Sequence, residues 1–315
     1  MAEQRIFTKA NTMEEFNTKI TDYGDRRKIV KRATNRTKPP SGYKLSPEEI
    51  EARLEARENT TKTPEQKAEE QMPRIRRKLF DLAMTNDFVW FGTLTLDQKK
   101  VKSRSDFQEV KQLFNKWNAT QRKNRGKFDF IAVPEFHKDG AIHFHTLQGD
   151  SNLDFIHAVN NKKSSKYYGQ SLVRNGREVF NLTNWKYGHS DFEKIESREA
   201  AANYCTKYMT KGLMTNPIMD GKPKYFRSRG LREPDVSYQM MDDDYFDEMS
   251  PSFGIVDLDE NGNSFLDLAI YKQEIDRETG EIINLTGDSL IKLKNDDTKI
   301  PPSETFDGSD DGFSL

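Results

Sequence analysis

Between residues 128 and 148 the chain reads FDFIAVPEF, then His137-Lys138-Asp139-Gly140, then AIHFHTLQ. Two apolar runs of strand length around a short turn segment predict a β-hairpin, and the loop of a hairpin fixes its register. A three-residue loop Lys138-Asp139-Gly140, with Gly140 in the left-handed position, pairs His137 with Ala141, Glu135 with His143 and Val133 with His145. A two-residue Asp-Gly loop would set Glu135 against Phe144, on the opposite face. Residues two apart on a strand share a face, so His143 and His145 point one way and Phe144 the other.

In the longer-loop register one carboxylate and two imidazoles gather on one face. Two neighbouring imidazoles repel if both are protonated, and a shared divalent cation relieves that conflict. Glu135, His143 and His145 therefore form a candidate ligand set for Mg²⁺ or Mn²⁺, with a phosphate completing the shell. The competing reading is a pair of solvated strand histidines, and an H-x-H alone does not exclude it. Of the other three histidines, His137 falls on the same face, whereas His157 and His189 are read as structural.

Residues 198–211, REAAANYCTKYMTK, predict a helix led by its alanines. Tyr204 and Tyr208, four apart, share one face, and each opens a Y-x-x-K unit ending in Lys207 or Lys211. A phenol with a pKa near ~10 is a poor nucleophile unless a cation or base helps to remove its proton. A lysine one turn away suits that role, and an amphipathic helix with two packing tyrosines is the plainer alternative. Cys205 faces elsewhere and reads as a packing residue. As the single cysteine it excludes an intramolecular disulfide and a cysteine-built zinc finger.

The net charge of −1 hides a segregation: residues 74–232 carry 30 Lys/Arg against 16 Asp/Glu, and residues 233–315 carry 5 against 22. A basic middle suits a polyanion, because each neutralised phosphate releases counterions. No run of 18 apolar residues exists to span a membrane, and MAEQRIFTKA has no apolar core of a secretory signal, so a cytoplasmic location is expected. No G-x-x-x-x-G-K-[ST] motif and no internal repeat is present.

Residues 1–45, with the breaker TKPPSG at 37–42, read as polar and largely mobile. Ser46 as N-cap, Pro47 and Glu49 predict a helix start, and a second helix is expected around 64–84. A buried strand at 88–96 and a helix at 104–118 precede the hairpin. A helix near 151–162, a strand near 189–196 and the tyrosine helix follow. Short strands are expected at 253–258, 264–270 and 281–285, before an acidic, mobile tail. The expected class is α+β, a central antiparallel sheet with helices packed on it. The expected divisions are a partly helical N-terminal arm (1–73), a folded domain (74–232) and an acidic C-terminal region (233–315).

The order of these segments resembles the HUH endonuclease superfamily, and more narrowly the two-tyrosine rolling-circle replication initiators of bacteriophages and plasmids. Residues 74–97 with TLTL, VPEFHKDGAIHFHTL (133–147), and residues 184–213 with the paired Y-x-x-K carry the resemblance; YFRSRGLREP (225–234) follows as in such initiators. The resemblance implies His143, His145 and Glu135 as metal ligands for Mg²⁺ or Mn²⁺, and Tyr204 and Tyr208 as catalytic tyrosines accompanied by Lys207 and Lys211. It implies single-stranded DNA at a replication origin as substrate, nicked to a 5′-phosphotyrosine and a free 3′-hydroxyl. Since no helicase module is present, it implies a host helicase and DNA polymerase as partners, in the cytoplasm of a bacterial host. Arg227, Arg229 and Arg232, and the cluster Arg122, Lys123, Arg125 and Lys127, are candidate phosphate binders. A plasmid relaxase or single-strand transposase shares the chemistry, and a non-catalytic nucleic-acid-binding protein is the alternative of a different class.

Overall fold

The computed structural model describes residues 13–40, 43, 45–58, 62–150, 154–285 and 289–294. These divide into two compact units, one drawn from 1–62 and 234–315, the other being Thr63–Glu233.

The first unit opens with strands β1 (Glu14–Asp22) and β2 (Arg26–Lys38), an antiparallel hairpin. This corrects the expectation of a mobile segment over 1–45; residues 1–12 lie outside the described residues. Few apolar residues mark these strands because much of their burial comes from partners far along the chain. Helix α1 (Pro47–Glu58) starts as expected: the Ser46 N–H donates to Glu49 Oε2 (2.7 Å) and the Glu49 N–H to Ser46 Oγ (3.2 Å).

The second unit begins with α2 (Pro64–Thr85), capped by a reciprocal Thr63–Gln66 box. Then come β3 (Phe88–Leu96), α3 (Phe107–Arg125), β4 (Phe130–Phe136) and β5 (Ile142–Gly149). Short strands follow: β6 (Phe155–His157), β7 (Val173–Arg174), β8 (Arg177–Glu178) and β9 (Phe180–Leu182). The unit closes with β10 (Gly188–Lys194), α4 (Arg198–Lys207), α5 (Lys211–Thr215) and β11 (Phe226–Arg227). Its main sheet runs β11-β4-β5-β3-β10-β9-β6, and its pairings are antiparallel. This is the α+β arrangement read from the sequence, with β5 and β3 central.

Two layers cover β5. On one side Phe144, fully buried, stacks on Phe114 of α3 with ring centroids 4.3 Å apart. On the other lie Tyr204 of α4 and Tyr208 at its C-cap, and α2 braces the segment beyond α4 by donating from Arg76 Nε to the Met209 carbonyl (2.9 Å). The helix expected near 151–162 is instead β6 and an irregular loop, residues 151–153 lying outside the described residues. Phe155 to His157 pair with β9, so the segment joins the edge of the sheet.

The remaining strands return to the first unit: β12 (Asp235–Gln239), β13 (Phe253–Leu258), β14 (Ser264–Ile275), β15 (Ile282–Asn284) and β16 (Leu290–Leu293). Its sheet runs β12-β1-β2-β14-β13-β16, with β15 beside β14. Ile29 and Val30, adjacent on β2, bury into opposite faces, one with Phe246 and Tyr271, the other with Phe253 and Ile270. The two chain ends, expected to be separate regions, thus share one sheet, and the expected boundary at residue 73 falls inside α2. The expected mobile tail from 295 onward lies outside the described residues.

Candidate active site

The loop at 138–140 adopts the longer form. The Gly140 φ is +81°, its N–H donates to the His137 carbonyl (2.9 Å), and the His137 N–H donates to the Ala141 carbonyl (2.9 Å). The register is accordingly Glu135 opposite His143 and Val133 opposite His145. On the other side of β5, Thr95 and Thr93 of β3 oppose the same two histidines. The T-x-T and H-x-H periods coincide, which brings a hydroxyl to each ring: Thr95 Oγ1 is 3.3 Å from His143 Nδ1, and Thr93 Oγ1 is 3.2 Å from His145 Nδ1.

His145 is the centre of the cluster. Its Nε2 lies 2.6 Å from Glu135 Oε2. Its Nδ1 lies 3.3 Å from the Tyr204 hydroxyl, and its ring stacks on Tyr208 with centroids 3.3 Å apart and an 8° interplanar angle. His137 stacks on His143 at 3.8 Å and places Nε2 3.5 Å from Glu135 Oε2. Burial, reinforced by the charges of His137 and His145, pulls the His143 imidazole down to about 4. Burial likewise lowers His145, against the opposing pull of Glu135, and the charge of Lys207 adds to the lowering. Both rings are therefore neutral at pH 7, the form that ligates a cation.

The tyrosine helix is shorter than expected, because α4 ends at Lys207 and Tyr208 is its C-cap. Thr210 then caps α5, its hydroxyl accepting from the Leu213 N–H (3.1 Å). The two tyrosine rings nonetheless stay together, with centroids 5.0 Å apart. Tyr204 packs edge-on against Phe91 at 5.0 Å. Burial first, and then a hydrogen bond with Tyr208, push the Tyr204 phenol above its ordinary range, while a hydrogen bond with Thr93 works the other way. Lys207 is exposed and within electrostatic reach of His145; Lys211 supplies the first residue of α5. Cys205 is buried, as expected of a packing residue.

Tyr204 also borders a cavity of about 530 Å³ whose walls include Phe91, Thr93, Arg174, Arg177 and Glu193. Neither arginine stands out in the sequence; the visible signal is Arg174-Asn175-Gly176-Arg177, an Asn-Gly turn flanked by cations. Thr93 and Thr95 escape the sequence reading as well, although their alternation matches that of the histidines. Among the expected phosphate binders, Arg227 pairs with Glu233 (2.9 Å), Arg232 with Asp87 (3.0 Å), Arg125 with Asp154 (2.5 Å) and Lys127 with Asp129 (2.9 Å). Arg229, Arg122 and Lys123 are exposed.

Among the described residues no group of three or more His, Cys, Asp or Glu side chains stands in an arrangement that could hold a metal ion. His145 Nε2 and Glu135 Oε2 stand 2.6 Å apart, a hydrogen-bond distance. Two ligands at right angles on Mg²⁺ stand roughly 3 Å apart, given bond lengths of about 2.0–2.1 Å. The donor chemistry nevertheless fits a divalent cation: one carboxylate and two neutral imidazoles whose Nδ1 atoms are engaged by threonine hydroxyls, the Nε2 of His145 becoming a ligand only when it gives up its hydrogen bond to Glu135.

A family model that describes replication-associated proteins of the ORF2 type matches residues 89–213. The match runs from β3 into α5 and includes Glu135, His143, His145, Tyr204, Lys207, Tyr208 and Lys211. No curated protein and no solved structure matches the chain. The similarity supports a part in the initiation of DNA replication. Among the described residues no helix is long and apolar enough to cross a membrane.

Proposed function

We propose that the chain is a rolling-circle replication initiator of the HUH type, which nicks single-stranded origin DNA by tyrosine attack. One observation carries the reading: both tyrosines lie against the same imidazole, Tyr204 through its hydroxyl at 3.3 Å and Tyr208 through its ring at 3.3 Å. A packing role for the pair does not require a phenol oxygen to meet a carboxylate-bound histidine. The similarity to replication-associated proteins favours initiation over plasmid mobilisation or transposition.

The phenolic oxygen of one tyrosine attacks the scissile phosphorus in line, forming the P–O(Tyr) bond as the bond to the 3′ oxygen breaks. The products are a 5′-phosphotyrosine and a 3′-hydroxyl that primes synthesis. Without metal, His145 Nδ1 can take the Tyr204 proton while Nε2 bears the hydrogen shared with Glu135. With Nε2 on an ion, Nδ1 would keep its own proton and water would take that of the phenol. In both cases the Thr93 hydroxyl stabilises the phenolate. Glu135 orients the imidazole by engaging Nε2. A Mg²⁺ or Mn²⁺ ion held by Glu135, His143 and His145 would neutralise charge developing on the phosphate. Lys207 offers a cation beside the same cluster. After one round the second tyrosine cuts the regenerated junction, and the released 3′-hydroxyl attacks the first phosphotyrosine to close the circle.

The test is a denaturing-gel assay of covalent protein–DNA adduct on single-stranded origin oligonucleotides, with Mn²⁺ or EDTA. A metal-dependent adduct that persists in Tyr204→Phe or Tyr208→Phe but is absent from the double variant is the expected result. DNA binding without adduct under any metal would move the chain to the class of non-catalytic binding proteins.

A further inference from the structure

We infer that residues 158–179, the connection between β6 and β9, form an arm that binds single-stranded DNA and leads it to the cavity beside Tyr204. Its tip carries Lys162, Lys163, Lys166, Tyr167 and Tyr168, and the whole stretch 158–173 contains no Asp or Glu. Tyr167 and Tyr168 are 52% and 53% exposed. They are the only mostly exposed aromatic residues among the described residues of this unit. None of the three lysines has a carboxylate partner among the described residues. Solvent-facing aromatic rings interleaved with cations that no carboxylate neutralises match the chemistry of an unpaired strand, whose bases stack on rings while its phosphates meet lysines.

The tip is pre-shaped rather than loose. The Asn160 N–H donates to the Gln170 carbonyl (2.9 Å) and the Gly169 N–H to the Asn160 carbonyl (2.9 Å), closing its base. Within it the Tyr168 N–H donates to the Ser165 carbonyl (3.0 Å) and the Gln170 N–H to the Tyr167 carbonyl (3.0 Å). Asn160 Nδ2 donates to Ser165 Oγ (3.2 Å). Lys166 Nζ lies 4.9 Å from the Tyr167 ring centroid. An ordered loop loses little freedom when a base docks on it, so its exposed rings are suited to stacking.

The far end of the arm reaches the reaction centre. Arg174 and Arg177 face each other across the Asn175-Gly176 turn, where φ is 48° and 81°. Arg174 is held by Asp191 (2.5 Å) and Glu193 (3.3 Å), and Arg177 by Glu193 (3.5 Å) and Glu196 (3.3 Å). Both line the cavity that Tyr204 borders. One continuous segment thus joins a stacking platform to a pair of guanidinium groups at the candidate nucleophile.

The inference rests on the preceding reading that single-stranded DNA is the substrate, and two separate readouts keep them apart. Full-length protein in EDTA is titrated into a labelled 20-nucleotide oligothymidylate, which reports binding without cleavage. Tyr167→Ala with Tyr168→Ala should weaken binding about thirtyfold or more. Lys162→Ser with Lys163→Ser and Lys166→Ser should reduce the slope of log affinity against log salt by about 2. The bonds that close the loop do not involve these side chains, so an unchanged unfolding midpoint checks the fold. Binding within twofold of wild type in the tyrosine variant would overturn the proposal. So would preferential binding of oligouridylate lost in the same variant, which would assign the arm to RNA. Wild-type adduct formation on the origin oligonucleotide reports the nicking reading by itself, whichever way the arm experiment falls.

Discussion

The threonines of β3 give the site its sharpest quantitative test. Thr93→Val keeps the β-branched shape and strand preference while removing one hydroxyl. That hydroxyl lies 3.2 Å from His145 Nδ1 and also hydrogen-bonds with Tyr204, favouring the phenolate. Two ordinary hydrogen bonds at a partly buried site contribute about 1–2 kcal/mol together. If both matter more in the transition state than in the resting state, nicking by Tyr204 slows about 5-fold to 30-fold. The experiment belongs in a Tyr208→Phe background, so that Tyr204 is the only available phenol. Single-turnover adduct formation is followed at saturating Mn²⁺ and oligonucleotide across a pH series. The slower rate should hold across the series, because the phenolate has lost a hydroxyl that stabilises it. Thr95→Val, whose hydroxyl meets His143 instead, controls for general disturbance of the strand. A Thr93→Val rate equal to the parent at every pH would refute the claim that β3 tunes the nucleophile.

Two further outcomes follow from packing and charge. The His143 imidazole, pulled down to about 4, stays neutral at pH 5 without metal. The unfolded chain binds that proton near pH ~6.5, so the stability present above 6.5 is lost as pH falls toward 4. Because the ring is only half-buried, solvent screening reduces the loss to the order of 1–2 kcal/mol. Urea unfolding in EDTA should show this loss between pH 7.5 and 5 in the wild type, over and above that of His143→Asn; equal losses would count against the burial of the ring. Gly92→Ala places a Cβ 2.2 Å from the Asp191 carbonyl oxygen and 2.6 Å from the Phe192 ring, prising β3 from β10 at a cost of about 3 kcal/mol. Gly149→Ala, with its nearest neighbour at 3.5 Å, should cost clearly less in the same unfolding measurement.

What could be read in the sequence was local. The hairpin register followed from one turn and one alternation, and both are properties of about twenty consecutive residues. The start of α1 followed from Ser46, Pro47 and Glu49, and α2 occupies the stretch around 64–84 where a helix was expected. What escaped depends on partners distant in the chain. β1 and β2 hold few apolar residues, and pair with β12 and β14 more than 190 positions later. Lys19 and Lys28 are themselves buried in those strands, so the polarity that suggested mobility belongs to ordered backbone. The end of α4 escapes for a local reason: Thr210 continues the helical pattern in sequence, although its hydroxyl caps the next helix. The candidate residues were found, but not the hydroxyls and arginines around them, because no short motif connects β3, β5 and the 173–178 hairpin.

The candidate site depends on a division of labour between the two faces of β5. Phe144 is fixed against Phe114 beneath α3, and Ile142, on the same face, is fully buried. A slip of one residue would carry Phe144 out of that core, so packing on the α3 side holds the histidines on the other. Packing alone does not bring them a carboxylate; that requires the third loop residue, which shifts Glu135 from the Phe144 face to the His143 face. Two neutral imidazoles then need partners of their own, and the alternation of Thr93 and Thr95 supplies one hydroxyl to each. The helix adds the two phenols last, against a surface already set by three strands. Alignment of β3, β4 and β5 is therefore the condition on which the candidate site rests.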